Sequence, residues 1–429
     1  MSSIVPKYID LFAGCGGLSL GLKNAGWEGL FAVEKNSDAF STLKHNLLKP
    51  ENTHYKWPAW LEQKAMPLEE ILENHAGELA GLKGKVDLLA GGPPCQGFST
   101  VGRRQANDPR NQIYKHYLEV VKIIAPRMVL LENVRGIKYS FKGLSRLKNN
   151  KSRPLVFSEI IEEELGKHYH IYSNIVEAKS FGVPQSRQRY ILIGVRKDIL
   201  KEKEDVDPFA ILRKNRAAFL KLKSLGDQPV SASEAISDLK RVKSRTEPCT
   251  DTPRFDLGRY GEQITNYQKY MHGSLNGQIA DSHRFARHLP QTVEKFTWFI
   301  KNCPKGKKLS PENRGEYANK KHTIHILDPE QIAPTVTTLP DDILHYSQPR
   351  ILTVREMARL QSFPDHFEFK GKYTTGGDLR KKECPRYTQV GNAVPPLLAE
   401  AIGGALKVVL TEHGEGKTRF ESLHYTKSE

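Results

Sequence analysis

Over the first 195 residues, short apolar runs alternate with stretches whose apolar residues recur at helical spacing. Lys7–Phe12, Gly29–Glu34, Val86–Ala90, Met128–Leu131, His170–Val176 and Tyr190–Val195 have the length and aliphatic content of strands. Leu18–Ala25, Ala39–Asn46, Tyr114–Ile124 and Phe157–Leu165 carry one apolar side each and read as helices. Strand and helix in alternation predict an α/β fold with an open, mainly parallel sheet. After Val195 the periodicity weakens. Residues 196–345 are rich in Lys, Arg, Ser, Asp, Gly and Pro, and "KEKEDVDP" reads as an exposed connection. A periodic pattern returns at Leu352–Gln361, and a helix is expected from about Pro396 to Leu410, ahead of a polar tail. The expected organisation is one α/β domain, an irregular domain inserted after it, and a C-terminal helix returning to the first.

Composition narrows the class. A chain of 429 residues with 38% hydrophobic and 27% charged residues can bury a sizeable core. No run of 18 apolar residues suggests a membrane span, and "MSSIVPKYIDLF" lacks the features of a signal peptide, so a cytosolic protein is expected. The five cysteines, Cys15, Cys95, Cys249, Cys303 and Cys384, are scattered, without C-x-x-C or zinc spacing. Neither disulfides nor a metal is expected. A net charge of +16 points to a polyanionic partner.

Two places carry chemistry. In "YIDLFAGCGGLSLGL" a strand runs into Gly14, Gly16 and Gly17 and then a helix, which lets a ligand approach the backbone. The next strand ends on Glu34, placed to bind ribose hydroxyls. The spacing is G-C-G-G, not the G-x-G-x-x-G of dinucleotide sites, which favours a nucleoside ligand without pyrophosphate, such as S-adenosylmethionine. A turn that merely permits tight packing is the simpler alternative, and Cys15 is most simply a small filler.

The second place is a set of strand ends. Cys95, in "GGPPCQGFS", follows strand Val86–Ala90, and Glu132 follows Met128–Leu131. Arg187 and Arg189 precede Tyr190–Val195 and share a face if that segment is extended. A thiolate beside positive charge is a nucleophile. A carboxyl group and guanidiniums supply fixed hydrogen bonds to a heterocycle. Each residue alone has a structural explanation: a buried Cys, a capping Glu, a surface Arg pair. Their collection at strand ends beside a cofactor loop argues for a site.

These motifs resemble the C5-cytosine DNA methyltransferases. "DLFAGCGGLSLG" is similar to the family's cofactor motif, "GGPPCQGFS" to its nucleophile motif, "ENV" (132–134) to its glutamate motif and "QSRQRY" (185–190) to its arginine motif. "RILTVREMARLQSFPDHF" (350–367) and "QVGNAVPPLLAEAIG" (389–403) match the last two, in the family's order. The resemblance implies a Rossmann-like S-adenosylmethionine-dependent domain, residues 1–197 plus 385–429, with a target recognition domain at 198–384. Cys95 would add to C6 of a flipped-out cytosine in double-stranded DNA. Glu132 would hold N3 and the exocyclic amine, Arg189 the carbonyl oxygen, and Arg187 would support the loop. Phe12 would stack near the adenine, Ala13, Gly14, Cys15, Gly16, Gly17 and Leu18 would wrap the methionine part, and Glu34 would take the ribose. Ile113 and Asn392 would complete that pocket, S-adenosylhomocysteine would be the product, and no metal is called for. Two positions depart from the family: "WPAWLEQKAMPLEE" offers no aspartate for the adenine edge, and Lys35 stands where an aromatic residue is common.

The resemblance also implies a bacterial, cytoplasmic monomer paired in function with a separate restriction endonuclease. "QIAPTVTTLPDD" (331–342) resembles the threonine-bearing end of the recognition region. "RVKSR" (241–245), "KGKK" (305–308) and "KYSFKGLSRLKNNKSRP" (138–154) suit phosphate contacts, or are simply solvated loops. The nearest alternative is the same chemistry on tRNA, against which the long basic insert favours duplex DNA. A catalytically silent DNA-binding protein and a nicotinamide oxidoreductase are the other readings; the intact Cys95, Glu132 and arginine set opposes the first.

Overall fold

A computed structural model describes residues 5–49, 53–94, 113–139, 145–148, 151–154, 156–200, 206–275, 279–317, 323–375, 379 and 383–413. Its centre is a six-stranded sheet. The chain enters through β1 (Lys7–Leu11), turns into helix α1 (Gly17–Asn24), and returns as β2 (Glu28–Val33) and helix α2 (Ser37–Leu47). β3 (Leu88–Gly91) and β4 (Met128–Val134) follow. Strand order is β2, β1, β3, β4, then Gln188–Arg196 and Tyr169–Glu177 at the edge. The first three pairings are parallel and the last two antiparallel. All six strands lie where the apolar runs place them, within two residues at either end save at the C-terminal end of β4.

β4 is the informative exception. The expected strand stops at Leu131, with Glu132 just beyond it. Alongside β3 the pairing does stop at Leu131, opposite Gly91. The antiparallel strand on the other side continues it, pairing Glu132 with Ile191, Asn133 with Tyr190 and Val134 with Arg189. Glu132 therefore sits within a strand, held by one neighbour only.

Both faces of the sheet are buried, which is why its strands read as continuous apolar runs. Ile9, Leu11, Phe31, Val33, Leu89, Val129 and Leu131 pack under the helices Ile113–Ile124 and Phe157–Gly166. Tyr8, Ala32, Leu88, Ala90, Met128 and Leu130 face the layer that holds α1 and the C-terminal helix Pro396–His413. Gly21 allows those two helices to touch: a Cβ there would lie 2.4 Å from Ala399 Cβ and 2.6 Å from Pro396 O. Trp27 Nε1 donates to Gly403 O across the same contact (3.0 Å). The stretch 386–411 is long and apolar enough to cross a membrane, and 78% of its most apolar window is buried inside the protein.

This second apolar layer continues past position 198, taking in Phe209, Leu212, Ala232, Ile236, Tyr267, Met271, Leu360 and Phe363. Buried ion pairs tie its segments together. Arg359 reaches Asp238 (3.0 Å) and Asp365 (2.5 Å), and Arg350 reaches Glu356 (2.7 Å). A three-stranded antiparallel sheet, Thr246–Pro248, Asp256–Arg259 and Ile279–Arg284, lies beyond. Helix Pro290–Asn302 has a separate small core of Phe296, Phe299, Leu309, Ile324, Ile326 and Leu344.

Candidate active site

The stem of "GGPPCQGFS" is set by two glycines at which a side chain would be crowded. A Cβ on Gly91 would lie 3.0 Å from Leu11 O and 3.1 Å from the Tyr117 ring. One on Gly92 would meet Glu132 Oε2 at 3.2 Å. The Pro93 carbonyl accepts from Asn133 Nδ2 at 3.0 Å, so the residue after Glu132 tethers the segment that leads to the thiol. Cys95 itself lies outside the described residues, as does everything from it to Asn111 and Gln112.

Glu132 and Arg189 come together as expected. Arg189 Nε lies 2.7 Å from Glu132 Oε1, and the two residues are only 8% and 9% exposed. An ion pair this dry fixes the carboxylate's orientation, because breaking it would strand a charge out of water. Arg189 Nη1 also donates to the Gln188 carbonyl (2.8 Å). Arg187 has other partners. Its guanidinium donates to the carbonyls of Val336 (3.1 Å), Gly391 (2.9 Å) and Ala393 (3.0 Å), and the residue is 1% exposed. It falls between the two-residue strand Gln185–Ser186 and the long strand beginning at Gln188, so the two arginines do not lie on one continuous strand.

The glycine loop takes a shape that ordinary residues resist. Gly14 and Gly16 have φ of 58° and 95°, and even Phe12 is at 60°. A Cβ on Gly14 would meet nothing within 4 Å, so the outer side of the loop is open. Ala13 N bonds Val33 O (2.9 Å) and Gly16 N bonds Ala13 O (3.0 Å), closing the turn that starts α1. Glu34 accepts from Gly14 N at 3.0 Å and Asn36 N at 2.7 Å. Burial raises its pKa, and those N–H groups pull against the rise. The open loop with an acid fixed at its rim fits a nucleoside with a ribose diol.

The loop's other side is a lid from the end of the chain. The Cys15 thiol is buried and points to Gln389 O (3.7 Å), and a Cβ on Gly17 would collide with Val394 O at 2.4 Å. Burial pushes the Cys15 thiol far up, as a filler requires. Leu18 is buried at the start of α1, Ile113 is half-buried as the first residue of its helix, and Asn392 is exposed at the end of Arg386–Asn392.

Three contributors escape a reading of the sequence. Asn133 and Gln389 tether the site through long-range bonds. Asp10 is fully buried in β1, where Ser19 Oγ donates to its Oδ2 (2.5 Å). Tyr55 OH bonds Ser19 (2.6 Å), and Tyr8 OH bonds His54 Nε2 (2.7 Å). An acid in the middle of an apolar strand was the available signal.

A profile of the C-5 cytosine-specific DNA methylase family matches residues 6–408. The chain is 33% identical over 409 residues to the Type II methyltransferase M.DdeI of Desulfomicrobium norvegicum, covering 92% of this chain and 86% of that protein. It is 30% identical over 403 residues to the Type II methyltransferase M1.HphI of Haemophilus parahaemolyticus, covering 93% and 86%. Its fold is similar to the solved structure of the S. pombe Dnmt2 methyltransferase, with TM-score 0.52, 15% identity and coverage of 94% and 98%.

Proposed function

Because the chain belongs to the C-5 cytosine-specific DNA methylase family, we propose how its own residues carry that family's reaction. The protein is a DNA (cytosine-5-)-methyltransferase of the restriction–modification type. It uses S-adenosylmethionine, which supplies an electrophilic methyl group. In our reading Cys95 is the nucleophile: its thiolate forms a bond to C6 of a flipped-out cytosine and turns C5 into a carbanion equivalent. Glu132 delivers a proton to N3 as addition proceeds, which neutralises the charge that addition creates, and accepts a hydrogen bond from the exocyclic amine, while Arg189 orients that carboxyl group and reaches the carbonyl oxygen. Once C5 carries the methyl group, its proton leaves to a base and the C6–S bond breaks, returning the thiolate. Arg187 acts at one remove, holding the Gly391 and Ala393 carbonyls in place beside the glycine loop.

Phe12 through Leu18 and Glu34 would seat the cofactor, with Ile113 and Asn392 at its edge. Residues 198–384 would read the DNA. We further infer a cytoplasmic monomer that protects sites from a separately acting endonuclease. The observation that carries the proposal is the dry Glu132–Arg189 pair beside the Asn133–Pro93 tether.

Duplex DNA containing 5-fluorocytosine tests it, since fluorine at C5 blocks the last elimination. The native protein should give a covalent complex that needs S-adenosylmethionine, and Cys95→Ser should give none. A complex that survives Cys95→Ser would refute the nucleophile, and methyl transfer to tRNA alone would refute the substrate.

A further inference from the structure

The small sheet of Thr246–Pro248, Asp256–Arg259 and Ile279–Arg284 gathers more positive charge than its acids offset. Its strands and the turn between the first two hold four carboxylates, Glu247, Asp251, Asp256 and Asp281. Each already has a guanidinium: Arg259 reaches Glu247 (2.7 Å), Arg386 Asp251 (2.7 Å), Arg241 Asp256 (2.6 Å) and Arg355 Asp281 (3.1 Å). Arg254, Arg284 and Arg287 are left with no carboxylate partner among the described residues. What hydrogen bonds the last two make go to neutral oxygens, Arg284 Nη1 to Thr252 Oγ1 (3.1 Å) and Arg287 Nη1 to the Arg254 carbonyl (3.1 Å).

Those contacts hold the three cations together, with Arg254 and Arg287 exposed and Arg284 half-buried. Arg284 Cζ lies 4.1 Å from the centre of the Phe255 ring and 3.8 Å from that of Tyr373. Stacking against aromatic faces fixes the plane of a guanidinium and leaves its in-plane N–H groups for a partner, the fork that matches a phosphate. Its Nε is buried with no hydrogen-bond partner among the described residues, and burial lowers its pKa, as expected of a cation short of negative neighbours. The cluster is also anchored. Arg386 lies on the same Tyr373 ring (4.2 Å) and its Nε donates to Gly371 O (2.9 Å). Three residues further on, Gln389 closes over Cys15.

We propose that Arg254, Arg284 and Arg287 form a phosphate seat, through which the small sheet grips the backbone of duplex DNA. The seat rests on the methyltransferase reading above and names, within residues 198–384, side chains that hold the duplex without reading it. Phosphates carry no sequence, so the seat supplies affinity and register while base recognition lies elsewhere. Its anchorage to the segment that lids the glycine loop keeps the gripped duplex in fixed relation to the cofactor.

Duplex-binding titrations over a range of salt test the seat, because each phosphate contact removed lowers the slope of log K against log salt by about 0.9. For R254S/R287S, which alters exposed side chains only, a fall of about 1.8 is expected. Weakening should be equal on methylatable and unrelated duplexes, with S-adenosylmethionine binding unchanged. Adding Arg284→Gln should remove about 0.9 more, and R254K/R287K, which keeps the charge, should retain the native slope. An unchanged slope in the serine variant overturns the seat, and no further loss with Arg284→Gln removes Arg284 from it. Phenylglyoxal modification of the native protein gives a second reading that does not depend on a variant folding. Duplex DNA should protect Arg254 and Arg287, and equal modification with and without DNA also overturns the seat. A native protein that binds no duplex overturns the methyltransferase reading and the seat with it, whereas native methylation with an unchanged serine-variant slope overturns the seat alone.

Discussion

At the residue scale, the site depends on charges kept dry by a few exact partners. Glu132 keeps its direction because Arg189, diagonal to it across the strand pair, reaches its carboxyl oxygen. Asp10 shows the same physics with a different result. Burial beneath the glycine loop pushes its carboxyl up to about 7, and Oδ1 has no hydrogen-bond partner among the described residues. The unfolded value is about 3.9, so the folded protein holds this proton more tightly. Its contribution to stability is full below about pH 4 and is lost as pH rises through about 7. A gap of about three units corresponds to at most about 4 kcal/mol. The stability of the native protein relative to Asp10→Asn, from denaturant titrations, should fall between pH 4 and pH 8. A difference that is flat across that range would rule the account out. The sequence offered only an acid within an apolar strand, because the partners Ser19, Tyr55 and the covering helices meet Asp10 only in three dimensions.

At the element scale, legibility followed the length and regularity of the pattern. Strands with two buried faces and helices with one apolar side announce themselves through local periodicity. Helix Pro208–Leu222 was not expected: "KEKEDVDP" read as an exposed connection, yet its last two residues, Asp207 and Pro208, cap and open this helix. The two-residue strands at Gln185–Ser186 and Ala333–Pro334 pair with each other, and nothing so short can show a period. The arginine motif was legible as a pair, whereas the division of labour within it was not. Arg187 serves carbonyls 149 to 206 residues further along the chain, a contact no spacing rule encodes. Contact between α1 and the C-terminal helix yields a prediction of its own. Gly21→Ala improves the local helix propensity by about 1 kcal/mol, yet it drives a methyl group into Ala399 and the Pro396 carbonyl. Overpacking of this kind costs about 1–3 kcal/mol. A lower melting temperature is expected, and an equal or higher one would show that the helices can part without cost.

At the scale of the whole molecule, the α/β layer and the segment after position 198 share buried surface, and the last helix belongs to that shared core. Leu397, Leu398, Ile402 and Leu406 lie in the cluster that also holds Leu18, Leu20 and Leu22. A chain ending at Pro395 would strip α1 of the helix packed against it. Its expected behaviour is loss of the cooperative thermal transition and of S-adenosylmethionine binding; a normal melt would contradict the shared core. The sequence pointed to this return through the apolar pattern after Pro396, while the small core around Phe299 arises from short, irregular pieces that left no such trace.

The lid over the glycine loop also sets an order of events during synthesis. Cys15 and Gln389, which touch in the finished protein, are 374 residues apart in the chain. At about 5–20 residues per second, the loop would emerge from the ribosome on the order of 20–75 s before the segment that closes it. During that interval α1 has an apolar face and no helix to set against it. The growing chain must therefore either delay folding of its first unit or have that face shielded by a chaperone. Either way, the enzyme becomes competent only when its final helix is made.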